Sequence, residues 1–249
     1  MLSSDVEAHF REEFRWLGRV TSPTRDLDVY LLELPAFAEL VGGDNADLEP
    51  LRRLIAREKR RAHTRLRRTL RSARYQRLCL EWGQAVDVDH PTAESGPAGS
   101  TPIGELADAR IRRVGRKVLR DGGRIVDESP AEMLHDLRKR CKELRYLLEF
   151  FNPLYGGKPH RSVLVKLKGL QANLGQFQDT QLQRRGLEGF ADQLLRDGQT
   201  PVATLLTIGR LMVVLEDQER QARAEFADRF RDFGGTTNRR RLARLTGGT

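Results

Sequence analysis

The chain has 249 residues, 39% of them hydrophobic, which is enough for a sizeable core in one large domain or two small ones. Its 44 Lys and Arg against 35 Asp and Glu leave a net charge of +9 and a pI near 10.0, a balance that favours polyanions such as nucleic acid, anionic membrane or a phosphate polymer. Two cysteines, Cys79 and Cys141, both in apolar helical patterns and read as buried, exclude a disulfide framework; no run reaches membrane-spanning length and no apolar leader follows the charge that begins at Asp5, so a cytoplasmic protein is expected.

Strand-type alternation is absent, and the expected fold class is all-α. The first helices fall at about 3–19 and 24–41, separated by "SPT" at 22–24 and closed by "VGGDN" at 41–45. Helices follow at about 47–70, with Asp47 as N-cap, and at about 72–86. The Pro/Gly/Ser-rich stretch "VDVDHPTAESGPAGSTP" (86–102) then reads as a flexible linker, bounded at 88–101, between an N-terminal half, 1–87, and a C-terminal half, 102–233. In the second half, helices are expected at about 102–120, 130–152, 159–182, 184–196 and 199–232. "DGG" (121–123) and "NPLYGGKP" (152–159) serve as breakers, and Ser129 caps the helix that Pro130 opens. The end, "GGTTNRRRLARLTGGT" (234–249), reads as a basic disordered tail.

The most informative stretch is "HDLRKRCKELRYLLEFF" (135–151). Leu137, Cys141, Leu144, Leu148 and Phe151 share one helical face, which is core. His135, Arg138, Lys142 and Arg145 follow the same 3-4-3 spacing and form a second stripe about a quarter to a third of a turn away. Lysine is concentrated here: five of the seven (Lys139, Lys142, Lys158, Lys166, Lys168) lie between 139 and 168. Arg110, Arg113, Lys117 and Arg120 repeat the spacing beside an apolar face of Ile103, Ala107, Ile111, Val114 and Val118. "REKRRAHTRLRR" (57–68) is a third cationic source, with Arg57, Arg61, Arg65 and Arg68 along one side. Several basic-edged helices around a common core can form a positive groove for a repeating polyanion, with Arg as a planar fork and Lys as a mobile point charge. The plain alternative is a set of solvated faces held by i,i+4 pairs.

His135 is open to three readings: a hydrogen-bonding residue at a helix start, a phosphate contact, or half of an "HD" metal pair with Asp136 in a metal-dependent phosphohydrolase. Adjacent helical residues point about 100° apart, which disfavours the metal pair. Asp26 and Asp179 read as partners that orient cations, and no nucleophile–base set or phosphate-cradling glycine loop occurs. No enzymatic activity and no cofactor are expected. Non-specific nucleic-acid binding is the main rival, weakened by aromatics that make up only 6% of the chain and fall mostly on predicted core faces, Phe150, Phe177, Phe226 and Phe230 among them.

A weak internal repeat aligns "FRWLGRVTSPTRDLDVYL" (14–31) with "LKGLQANLGQFQDTQLQR" (167–184), placing Arg15 with Lys168 and Asp26 with Asp179. His135 lies 33 residues before Lys168; the same offset from Arg15 falls before residue 1. The chain is thus expected to start after the helix that would pair with its first half, leaving Phe10, Phe14 and Leu17 short of partners and open to self-association.

At His135, Arg138, Lys139, Lys142, Leu144, Arg145 and Tyr146 the chain resembles the CHAD family, the conserved histidine α-helical domain. Two further family patterns are matched by Leu167, Lys168, Leu170, Gln171, Leu174, Gly175 and Asp179, and by Arg25, Asp26, Asp28 and Val29; the resemblance runs from about residue 8 to 232. It implies two antiparallel helical bundles related by a pseudo-twofold, with a basic central groove that binds inorganic polyphosphate without catalysis, and it departs from the family in the missing first helix. The polyphosphate-binding residues expected on these grounds are His135, Arg138, Lys139, Lys142, Arg145, Lys166, Lys168, Arg113, Lys117, Arg15, Arg61 and Arg65. Nucleic acid is expected only as a weaker competitor and membranes not at all. Within the cytoplasm, polyphosphate granules are the expected place.

Overall fold

A computed structural model describes residues 3–87, 101–155, 157–198 and 200–247, and every regular element among them is helical, as the fold class requires. In chain order these are α1 (Ser4–Leu40), α2 (Glu49–Leu70), α3 (Ala73–Ala85), α4 (Ile103–Gly122), α5 (Ala131–Phe150), α6 (Asn152–Tyr155), α7 (Lys158–Arg196), α8 (Val202–Gly234) and α9 (Thr236–Leu245). They group into two compact units, residues 1–100 with 186–212 and residues 101–185 with 213–249. The division is not into the consecutive halves that the composition suggests. A helix of 39 residues such as α7 is roughly 60 Å long, more than one core can cover, so the end of α7 and the start of α8 belong to the first unit. The expected linker, apart from Thr101, lies outside the described residues.

In the first unit α1 runs without a break through "SPT", where two helices were expected. Pro23 gives no N–H to the ladder, and the hydroxyls of Thr21 and Ser22 turn back onto the carbonyls of Leu17 and Gly18. Thr24 is buried one residue beyond, so the turn is held from its packed side. The turn at 41–45 behaves as predicted, with Gly42 at φ 58° just past the end of α1. Asp47 does not cap α2; Leu48 occupies that place, and the Thr207 hydroxyl donates to the Asp47 carboxylate. Buried Leu34 and Phe37 of α1, Leu51, Leu54 and Ile55 of α2, Leu187 and Leu194 of α7, and Ile208 and Leu211 of α8 supply the unit's apolar interior. Gly186 is required there, because a Cβ at this position would lie 1.9 Å from the Tyr30 hydroxyl. Phe10 is covered, contrary to the expectation that it lacks a partner: Trp82 of α3 meets Phe10 and Phe14 edge-on at 4.9 and 5.1 Å, although Phe14 stays 42% exposed. Cys79, also on α3, is exposed rather than buried.

The core of the second unit draws on several helices. Ile111, Val114 and Val118 of α4, Leu134, Leu137, Cys141, Leu144 and Leu148 of α5, Val163, Leu167, Leu170, Leu174 and Phe177 of α7, and Ala222, Phe226 and Phe233 of α8 form one buried cluster. Each large side chain there contributes about 1.5–3 kcal/mol on full burial. The face read on α5 is therefore the core face, with Phe151 packed at its margin; Phe150 and Ile103, also expected inside, are exposed. Burial pushes the Cys141 thiol up to about 12. Ser129 is not the N-cap of α5: Pro130 takes that position, and the Ser129 hydroxyl accepts from the Val126 amide. The break expected near 183 in α7 is absent; Arg184 sits mid-helix, paired with Glu216 and Glu219 of α8.

Residues 236–245, expected to be disordered, form helix α9. Leu242 is buried in the cluster with Leu245 beside it, the Asn238 amide donates to the Phe233 carbonyl, and Arg112 donates to the Thr246 carbonyl. The arginines dominate the composition of this segment, and two leucines three apart are enough for a ten-residue amphipathic helix once a core lies beneath them.

Candidate functional site

The apolar face of α5 fixes where its charges go. With Leu137, Cys141, Leu144 and Leu148 turned into the core, the stripe His135, Arg138, Lys142, Arg145 is carried to the edge of the core facing α7, within the second unit. The pairings show an antiparallel seam. His135 Nδ1 donates to the side-chain carbonyl of Gln178; Arg138 donates to Asp179 across 3.4 Å; Lys168 pairs with Glu149 at 3.0 Å. From one end of the seam to the other, residue numbers rise on α5 from 135 to 149 as they fall on α7 from 178 to 168. Gly175 opens the seam at its middle, where the Arg138 Nε lies 4.0 Å from the place a Cβ would take.

Apart from Lys142, the cations along the seam are held rather than free. His135, Arg138, Lys142 and Arg145 are all half-buried. Glu149 takes both Arg145, at 3.6 Å, and Lys168, and the Arg145 guanidinium lies over the Tyr146 ring at 5.2 Å. Lys142 has no ion-pair partner among the described residues. Two buried polar groups make no hydrogen bond: Arg145 Nε, whose contact with Glu149 is an ion pair at longer range, and the side-chain amide of Gln171, which the antiparallel register sets opposite the turn of Lys142 and Arg145. His135 keeps Nε2 for another partner. The row of cations from 135 to 145 is about 15 Å long at the helical rise. Such an arrangement presents forked and point-like donors to an extended anion.

The other expected residues lie elsewhere. Lys139 is exposed at the margin of the stripe and paired with Asp136 at 3.2 Å. Lys166 points to the other side of α7 and donates to the Asp232 carbonyl of α8. Arg113 and Lys117 are exposed on α4, which meets α5 through Arg110–Glu143 and Arg140–Asp121. Residues 140 and 143 lie on roughly the opposite side of α5 from the seam, so the α4 stripe and the seam are separate basic edges of one unit. Arg15, Arg61 and Arg65 belong to the first unit; Arg61 is paired with Glu58 at 2.8 Å, and Arg15 and Arg65 are exposed.

Gln171, Gln178 and Glu149 line the seam and were not singled out as site residues. Gln171 and Gln178 are seven apart and therefore on one face of α7, a spacing that could have marked them. His135 and Asp136 turn to different partners, Gln178 and Lys139.

A family model described as the CHAD domain matches residues 1–188, leaving the last turns of α7 and all of α8 and α9 outside the match. Two uncharacterized proteins of Mycobacterium tuberculosis, MT2285 and Rv2226, are each 33% identical over 184 residues, covering 71% of this chain and 33% of the relative. The chain spans about a third of the length of the curated relatives it matches.

Proposed function

The chain belongs to the CHAD domain family, and from that premise we propose that it binds inorganic polyphosphate along the α5–α7 seam without cleaving it. The single observation behind this reading is the half-buried row His135, Arg138, Lys142, Arg145, bordered by Lys168 and Gln171 and opened at Gly175. A linear polymer with a charge on every phosphate matches a linear row of donors, while duplex DNA spreads its phosphates over a wide cylinder. The Gln178 contact supports a binding role for His135, since it fixes the ring through Nδ1 and leaves Nε2, a donor in the imidazolium form, for an anion oxygen. The separate partners of His135 and Asp136 speak for binding over a metal-assisted hydrolysis run by that pair. No helix among the described residues is long and apolar enough to cross a membrane; our reading places the protein in the cytoplasm, at polyphosphate granules.

A competition titration tests this reading. Long polyphosphate is expected to displace duplex DNA at matched phosphate concentration, with affinity falling as salt rises. If DNA prevails at physiological salt, non-specific nucleic-acid binding becomes the better account. Release of orthophosphate with Mg²⁺ or Mn²⁺, abolished by His135→Ala, would replace binding by hydrolysis.

A further inference from the structure

The turn between α2 and α3 carries a second concentration of positive charge, far in sequence from the seam and in the other unit. Residues 59–80 hold nine Lys and Arg and no carboxylate. Partners from outside the stretch neutralise three of them: Asp28 for Lys59, Glu58 for Arg61 and Glu13 for Arg74. Arg67, Arg68 and Arg71 have no ion-pair partner among the described residues, and together with Thr64 and Ser72 they line an open cavity of about 670 Å³.

Arg67 and Arg71 are four apart on one helix and Arg68 and Arg71 three apart, so the three guanidinium groups are surface neighbours that repel one another. The C-terminal end of α2 compensates only part of this, because it presents the equivalent of roughly half a negative charge against three positive ones. The sequence supplies cations for a cavity and withholds the acids that would close it. We propose that this cavity is a second anion site, which takes a short condensed phosphate of two or more linked phosphoryl groups. Three planar forks can hold oxygens on neighbouring phosphoryl groups at once, and a single orthophosphate lacks the charge to neutralise all three. The site goes beyond the seam reading and does not depend on it, since it shares no residue with it.

Calorimetric titration of the full chain with tripolyphosphate tests the proposal. In the seam variant Arg138→Ala/Lys142→Ala, tripolyphosphate is expected still to bind. Adding Arg67→Ala/Arg68→Ala/Arg71→Ala should weaken that binding on the order of tenfold or more. As a control, Arg220→Ala/Arg229→Ala/Arg231→Ala removes the same charge from arginines that already have carboxylate partners, and should leave it within about threefold. Absence of binding in the seam variant overturns the site. Equal losses in the two triple variants reduce it to net charge and overturn it too, and orthophosphate binding as tightly as tripolyphosphate overturns the ligand class. Failure of the seam reading registers separately, as long-polyphosphate affinity unchanged by Arg138→Ala/Lys142→Ala.

Discussion

Replacing Arg138 by alanine should separate ligand affinity from stability. The Arg138 side chain is 22% exposed and reaches Asp179 across 3.4 Å, but Asp179 itself is 59% exposed. An ion pair so open to water contributes about 0–1 kcal/mol to folding. A charge-assisted contact to a phosphate oxygen contributes about 1.5–3 kcal/mol, equivalent to roughly 10–150-fold in affinity. The Arg138→Ala protein should therefore keep its urea midpoint nearly unchanged by circular dichroism while its polyphosphate affinity falls by that factor in calorimetry. Arg138→Lys keeps the charge and loses the fork, so its affinity should lie between the two. Wild-type affinity in a folded Arg138→Ala protein refutes the seam. So does an affinity loss that appears only together with an unfolding shift of several kcal/mol, because Arg138 would then be a structural residue.

Two helical glycines should respond with opposite sign. At Gly122 a Cβ would sit 2.1 Å from the Phe230 ring, so Gly122→Ala should lower stability by about 1–3 kcal/mol; at Gly175 the nearest atoms are 4.0 Å away, and Gly175→Ala should raise it by about 0.5–1 kcal/mol, both read from urea midpoints. Leu242→Ala should destabilise the second unit by about 2–5 kcal/mol, and removal of residues 236–249 by at least as much; an unchanged thermal transition in either would contradict the packing of α9. In the native protein a thiol reagent should modify exposed Cys79 alone, with Cys141 reacting only on unfolding, since its thiol is buried and pushed up to about 12; two fast native thiols in a titration would contradict the core.

Much of the fold class and the centre of the candidate site was legible in the chain, because helical periodicity is local. The spacing of Leu137, Cys141, Leu144 and Leu148 is enough to place α5, its buried face and the flanking stripe of His135, Arg138, Lys142 and Arg145. Two local signals point away from the fold. The turn residues of "SPT" predict a break, but the hydroxyls of Thr21 and Ser22 and the burial of Thr24 carry α1 past Pro23. Composition also outweighed pattern at 236–245, where the arginines hid the leucines of α9.

What one helix faces is a different kind of information. Stripes of the same spacing on α4 and α5 suggest one groove, yet α4 meets α5 on the side of Arg140 and Glu143, away from the seam, and Lys166 turns to α8 while Lys168 stays on the seam. Most of the helices, their buried faces and the cations beside them can be read along the chain, since each depends on residues within two turns. Which stripes share a surface, that Gln178 and Glu149 hold the cations, and that α7 and α8 serve two units emerge only once the helices pack. Those outcomes depend on pairing between residues far apart in the chain, and the periodicity of a single helix carries no record of its partner.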